Sequence, residues 1–200
     1  MLVLASASPR RQELLRNAGI AFVVQTTEIP EVPREGELPA PFAERLAREK
    51  ALAVARQRPD DLVLGADTIV VVDGQILGKP ADAADAARML RLLSGRTHEV
   101  ITGVCLVGPR HGESETVSQP ETGNWTVETA SEITVVTMSP LSEQDIISYV
   151  ASGEPMDKAG AYAIQGMASR WIPQIEGDYC NVVGLPVALV CRMLREHGAI

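Results

Sequence analysis

The junction at the start of the chain constrains its fold most. An apolar run, Leu2–Ala5, ends in small polar residues and meets a helix-opening signal at Ser8-Pro9. A short apolar run of this kind reads as a buried strand. Ser8 offers an N-cap, and Pro9 fits the first helical position, where its fixed φ suits the helix and its missing N–H is not needed. No basic segment precedes the run, and Ser8-Pro9-Arg10-Arg11 interrupts it at once, so it reads as a first strand and not a signal peptide.

The same alternation continues. The first helix is expected to reach about Asn17, with Gly19 beyond its end, and Ala21–Gln25 reads as a second strand. Glu28–Pro41 reads as a loop and Phe42–Arg58 as an amphipathic helix closed by Pro59. Leu62–Leu64 is a strand ending in Gly65-Ala66-Asp67-Thr68, followed by a second apolar run, Ile69–Val72. Asp73-Gly74 is a two-residue hairpin signal returning through Gln75–Leu77. Asp82 caps a helix to Leu93, and Ser142-Glu143-Gln144-Asp145 resembles a capping box opening a helix to about Ala151. His98–Val107 and Ala130–Met138 read as two long antiparallel strands, with residues 108–129 between them as a hairpin insertion. Ala161–Ile164 and Trp171–Ile175 read as short strands, Glu176–Pro186 as a polar loop and Pro186–Glu196 as a last helix. The expected class is α/β or α+β, a mixed sheet flanked by helices. No linker divides it, so residues 1–200 are expected to form a single domain.

No run approaches the ~20 uncharged apolar residues of a membrane span. Three cysteines without CxxC spacing indicate neither a disulfide framework nor a zinc site, which leaves a reducing cytoplasm as the expected compartment. The net charge of −8 argues against duplex nucleic acid as a partner, while a local basic cluster would still hold a small nucleotide. Only Lys50, Lys79 and Lys158 among the 18 basic residues are lysine. Compact cations used so sparingly hint at positions that need a point charge, although codon bias explains the count equally well.

Several segments carry possible chemistry. Arg10 and Arg11 sit in a helix's first turn, where cations oppose the dipole. An anion bound there, on free N–H groups and the Ser8 hydroxyl, resolves the conflict; a capped surface helix with solvated arginines is the plainer reading. Asp67 lies at the end of an apolar strand, as a base or metal ligand or simply as a turn cap. Lys79, between Gly78 and Pro80, suits a phosphate contact or is an exposed loop lysine. Gln165, within Met156–Gly166, offers a donor and an acceptor to a base edge unless the segment is close-packed structure. The histidines form no metal cluster, and no Walker, Rossmann, GxSxG or HExxH motif is present.

Taken together, Ser6-x-Ser8-Pro9-Arg10-Arg11, Glu49-Lys50-Ala51, Gly65-Ala66-Asp67-Thr68, Gly78-Lys79-Pro80, Ser94-Gly95-Arg96-Thr97-His98, Asp157-Lys158-Ala159-Gly160-Ala161-Tyr162 and Gly184-Leu185-Pro186 resemble the Maf family of nucleoside triphosphate pyrophosphatases. Seven motifs in order span Leu2 to about Glu196. The resemblance implies an elongated Maf/ITPase-like α/β fold with two lobes and a central cleft. It implies cleavage between the α and β phosphates with a divalent cation, Mg²⁺ or Mn²⁺. By that likeness, Ser8, Arg10 and Arg11 match the triphosphate-binding loop. Glu31, Lys50, Asp67 and Lys79 match the charged cluster at the scissile phosphate, with Asp67 as proton acceptor and Glu31 and Asp67 as metal ligands. Arg11, Thr68 and Gln165 match positions tied to nucleotide choice, and Lys158 joins the substrate-binding set. Pro-Arg-Arg, Ala-Asp-Thr and Tyr-x-Ile-Gln-Gly are similar to the dTTP/UTP branch; a branch acting on 7-methyl-GTP typically has Asp-Gln in place of Asp67-Thr68. Two departures are that Glu31 follows Pro30 and that residues 108–129 are longer than usual. The expected partner is a nucleoside triphosphate; whether the chain is a homodimer is open. The alternative function is a nucleotide-binding regulator of septum formation with little turnover.

Overall fold

The computed structural model describes residues 1–109 and 125–200. Its elements are β1 (Leu2–Leu4), α1 (Pro9–Asn17), β2 (Val23–Val24), α2 (Pro39–Ala55), β3 (Leu62–Val72), β4 (Gln75–Leu77), α3 (Ala83–Leu93), β5 (Thr97–Pro109), β6 (Trp125–Thr137), α4 (Glu143–Ala151), β7 (Gln174–Glu176), α5 (Tyr179–Val183) and α6 (Val187–Glu196). Short 3₁₀ turns at Glu154–Asp157, Ala159–Ala161 and Met167–Trp171 lie between α4 and β7.

Among the described residues the strands form one mixed sheet in the order β2-β1-β3-β5-β6-β7, with β4 on β3. β1 runs parallel to β2 and β3, and the remaining pairs are antiparallel. The central strand, β3, is paired along one edge to β5 from Val63 to Val71. Its other edge meets β1 only at Leu62–Leu64 and β4 only at Val70–Val72. Between them, Gly65–Ile69 has no strand partner on that side among the described residues.

Side chains of β3 alternate between the two faces, as the period of 2 requires. Val63, Ile69 and Val71 pack with α2. On the opposite face, Leu64 and Ala66 pack with α1 and α6, whereas Val70 and Val72 pack with α3 and α4. Two groups of helices therefore share one face of the sheet, each over its own apolar cluster. Fully buried leucines such as Leu64, Leu90 and Leu194 each stabilise the fold by roughly 1.5–3 kcal/mol. Against the other face, α2 presents Ala43, Ala47 and Ala51, spaced four residues apart and fully buried. The approach is close enough that a Cβ on Gly65 would lie 2.1 Å from the Ala47 carbonyl oxygen. One on Gly103 would lie 2.4 Å from that of Ala43. Glycine at both strand positions is what admits the helix backbone.

Several sequence expectations change. Leu62–Leu64 and Ile69–Val72 belong to one strand, so Asp67 sits in mid-strand rather than at a strand end. The ladder with β5 runs straight through Gly65–Thr68 and outweighs their poor strand propensity. The second strand shrinks to two residues, and α2 runs from Pro39 to Ala55, started by prolines in its first turn. Residues 108–109 and 125–129, assigned above to an insertion, are paired strand; residues 110–124, including His111, lie outside the described residues. The expected strand at Ala161–Ile164 is absent. Gly160 and Ala161 both have positive φ, which ends extended pairing there. The last strand falls at Gln174–Glu176, and the polar loop after it holds α5, capped by Asp178. The Asp73-Gly74 hairpin, the caps at Ser8 and Asp82, and the capping box at Ser142 form as expected. No helix among the described residues is long and apolar enough to cross a membrane.

Candidate active site

The unpaired stretch of β3 opens onto a cleft of about 620 Å³, within the range of small-molecule sites. Strand alternation sends Asp67 and Thr68 to opposite faces, and both line the cleft through the gap between β1 and β4.

On the α2 face, Lys50 projects from the helix three residues after Ala47. The close helix–sheet contact brings its Nζ 2.5 Å from Asp67 Oδ1 and 2.7 Å from Glu31 Oε1. Lys79 Nζ lies 3.5 Å from the other oxygen of Glu31. Burial raises the Asp67 pKa above the ordinary carboxylate value; the charges of Lys50 and Arg11 oppose that rise without cancelling it. Burial also pushes Glu31 up, but hydrogen bonding and charge from Lys50, with the charge of Lys79, outweigh it and leave Glu31 lowered. The two carboxylates are therefore unequal: Glu31 holds its charge more firmly than Asp67.

Glu31 lies on an irregular segment, and Arg45 of α2 ties that segment down. Its Nε and Nη2 donate to the two oxygens of Glu37 at 2.6 and 2.7 Å, Nη2 also donates to the Val32 carbonyl, and Nη1 donates to Glu49. The hydrogen bonds from Arg45 lead in holding Glu37 down to about 2. A bidentate guanidinium–carboxylate pair fixes direction as well as distance.

On the other face, Arg11 is not a free anion receptor. Its Nε donates to Gly184 O (2.7 Å), Nη1 to Ser6 Oγ and Ala66 O, and Nη2 to Thr68 Oγ1 (3.0 Å). Four of the five donors a guanidinium possesses thus meet protein acceptors. The Ala66 carbonyl is one that the missing strand would otherwise have bonded. The charge conflict at the start of α1 is relieved by these contacts. Desolvation lowers the Arg11 pKa, and Asp67 partly restores it.

The rim carries the remaining predicted residues. Ser8 caps α1, and Arg10 Nη1 reaches Asp157 Oδ2 at 3.3 Å. Lys158 Nζ donates to Glu154 O and Asp157 Oδ1. Gln165 is exposed at the cleft, beside Ala163 and Ile164. The structure thus gathers Glu31, Lys50, Asp67 and Lys79 into one charged group and Arg11 with Thr68 into another. Arg10, Lys158 and Gln165 line the opening. Arg45, Thr102 and Asn181 were not anticipated. Arg45 lies between Phe42 and Glu49 on a helix face that reads as solvated, and only the fold brings Glu37 to it.

Glu31 and Asp67 offer hard oxygen donors on the same ammonium. Among the described residues no group of three or more His, Cys, Asp or Glu is positioned to hold a metal. Two carboxylates fit a cation such as Mg²⁺ that takes its other ligands from phosphate oxygens and water, and they do not form an all-protein cage.

The Maf-like protein family profile matches residues 1–197. The chain is 56% identical over 199 residues to the dTTP/UTP pyrophosphatase of Koribacter versatilis, covering 100% of this chain and 95% of that one. It is 53% identical to the dTTP/UTP pyrophosphatase of Symbiobacterium thermophilum, with 98% and 94% covered. Among solved structures, the Staphylococcus aureus Ham1 protein shares the fold, with a TM-score of 0.53 at 13% identity over 98% of each chain. The profile match, the identity along the whole length and the ordered motifs converge on one assignment: the chain belongs to the Maf family.

Proposed function

We propose that this protein hydrolyses dTTP and UTP between the α and β phosphates, releasing the nucleoside monophosphate and pyrophosphate. One observation carries the reading. Asp67 is a buried carboxylate with a raised pKa, held by Lys50 in the unpaired middle of β3 and open to a cleft ringed by Lys79, Arg10 and Lys158. The names of the relatives, similar along the full chain, support the choice of dTTP and UTP.

In this mechanism a water oxygen attacks the α phosphorus while Asp67 accepts the proton it loses. The bond from that phosphorus to the bridging oxygen breaks, and its electron pair leaves with pyrophosphate. A carboxylate whose pKa is raised by burial is a better base than a solvated one. Lys50 keeps Asp67 ionised and aimed. Lys79, Arg10 and Lys158 oppose the charge growing on the leaving group, an effect strengthened where water is excluded. Glu31 and Asp67 would hold the divalent cation, Mg²⁺ or Mn²⁺, which when bound polarises phosphate oxygens and acidifies water. The base lies toward the apolar wall formed by Val70, Val100, Val182 and Tyr162, with Gln165 at its edge.

The test is a panel of nucleoside triphosphates with product identification by chromatography and phosphorus NMR. Monophosphate and pyrophosphate from dTTP and UTP, faster than from purine triphosphates, is the expected result. Diphosphate with orthophosphate would refute it, as would nucleotide binding without turnover.

A further inference from the structure

Thr68 is the polar side chain of β3 on the apolar face of the cleft, and its hydroxyl belongs to a chain of hydrogen bonds that crosses the sheet. Thr102, its cross-strand partner on β5, is fully buried. Thr102 Oγ1 lies 2.9 Å from Thr68 Oγ1 and 3.1 Å from the Asn181 carbonyl oxygen. Asn181 is itself locked. Its Nδ2 donates to Val100 O and Thr134 Oγ1, both at 2.9 Å. Thr134 donates its own proton to Asp178 O and accepts the Asp178 N–H.

Proton directions follow from which groups can only accept and which can only donate. The Asn181 carbonyl only accepts, so the Thr102 proton points to it. Thr102 then accepts, and the Thr68 proton points to Thr102. Arg11 Nη2 only donates, and it fills one lone pair of Thr68. One lone pair of Thr68 is left for a ligand. The other assignment turns the Thr102 proton to Thr68 and sends the Thr68 proton to Gly184 O at 3.3 Å. It leaves carbonyl and hydroxyl lone pairs of Asn181 and Thr102 facing each other at 3.1 Å. It also fills both lone pairs of Thr68, from Arg11 and Thr102, so only the first assignment leaves Thr68 an acceptor for a ligand; in neither does Thr68 keep a proton for one.

We propose that Thr102 is a specificity-determining positioning residue: by taking the Thr68 proton it presents Thr68 to the cleft as an acceptor, which selects a base with an N–H at its pairing edge. Uracil and thymine carry that proton at N3; cytosine has a lone pair there and would meet Thr68 oxygen to nitrogen. A site committed to one hydrogen-bond polarity rejects the opposite one strongly. The inference rests on the proposed dTTP/UTP pyrophosphatase reading and adds to it the group that sets polarity.

The experiment measures kcat/KM for UTP and CTP in wild type, Thr102→Val and Thr102→Ser. Valine has nearly the shape of threonine and removes the hydroxyl; the Thr68 proton is then left with only the long 3.3 Å contact to Gly184 O, which already accepts from Arg11 Nε, and turns to the ligand. The UTP/CTP ratio is expected to fall at least tenfold in Thr102→Val and to stay within threefold of wild type in Thr102→Ser. A merely structural loss would lower both substrates together and leave the ratio unchanged, and that result overturns the proposal. A second measurement needs no variant: wild type should process 3-methyl-UTP, which lacks the N3 proton, at least a hundredfold less efficiently than UTP. Comparable rates on the two would overturn it as well. Wild type that cleaves neither UTP nor dTTP would remove the pyrimidine reading and this proposal together. An active, uracil-selective wild type with an unchanged ratio in Thr102→Val would overturn the role of Thr102 alone.

Discussion

His98 on β5 should make the fold sensitive to mild acid. It is 3% exposed; its Nε2 shares a 2.7 Å hydrogen bond with Tyr162 Oη, and its Nδ1 is buried with no partner among the described residues. Burial lowers its pKa to about 4, whereas an unfolded histidine titrates near 6.5. The neutral ring is the form the fold accepts, so its contribution is complete above about pH 6.5 and is lost as pH falls toward 4. Each unit of difference is worth about 1.4 kcal/mol, so the loss reaches about 3 kcal/mol in full and about 2 kcal/mol at pH 5. Carboxylates titrate in the same region, and a comparison with His98→Gln removes them. Glutamine keeps a donor and an acceptor but does not titrate. Urea unfolding at pH 7.5 and pH 5 should show wild type losing about 2 kcal/mol more than the variant across that interval. Equal losses in the two proteins would refute the reasoning, because no proton uptake would then be tied to this ring.

Asp67→Asn removes the basic oxygen with little change of shape and should lower kcat roughly 10²-fold or more, read by pyrophosphate release with dTTP, while nucleotide affinity stays close to wild type. Gly65→Ala places a methyl group 2.1 Å from the Ala47 carbonyl, so α2 must move away from β3. We expect thermal unfolding to show a loss of about 1–3 kcal/mol, as overpacked sites do, with kcat falling as Lys50 shifts from Asp67. Chelation with EDTA should abolish turnover, and Mg²⁺ or Mn²⁺ should restore it, as a steady-state assay will show; full activity in chelated buffer would exclude Glu31 and Asp67 as ligands. Arg45→Gln should loosen the segment bearing Glu31 and raise the metal concentration needed for half-maximal rate several-fold, measured by metal titration, with Arg45→Lys failing to rescue because it cannot form the paired contact to Glu37.

Local signals carried those parts of the fold that local chemistry decides. Ser8-Pro9, Asp82 and Ser142–Asp145 each satisfy open N–H groups at a helix start, and Asp73-Gly74 has the positive φ values that its turn needs. The parts that were missed depend on distant partners. Nothing near Gly65–Thr68 announces a continuous strand; the ladder from Val63 to Val71 along β5 makes it one. Ala161 reads as the start of an extended run, yet Val70 lies where a Cβ on the preceding Gly160 would stand, 2.8 Å away, and the chain bends over it. Only the family resemblance groups Glu31, Lys50, Asp67 and Lys79 in the sequence, and Glu31 carries no local signal of its own; the α2 contact is what brings them together. Arg11 was legible as a cation but not as a cation already provided with acceptors, because Ser6, Ala66, Thr68 and Gly184 come from three separate stretches of chain.

Asp67 and Thr68 are neighbours in the chain but look out on opposite sides of the sheet, and this separates two kinds of inheritance. Thr68 shares its wall with Val70, Val100 and Val182, whereas Asp67 stands with Lys50 and Glu31 on the α2 side, so the proposed reading puts base choice and the proton acceptor on different walls. On that reading a lineage can exchange its preferred nucleotide by substitutions beside Thr68 while the Asp67–Lys50 pair on the other wall stays intact. A laboratory library confined to positions 68, 70, 100 and 182 should yield variants that differ in appetite and keep a common reaction.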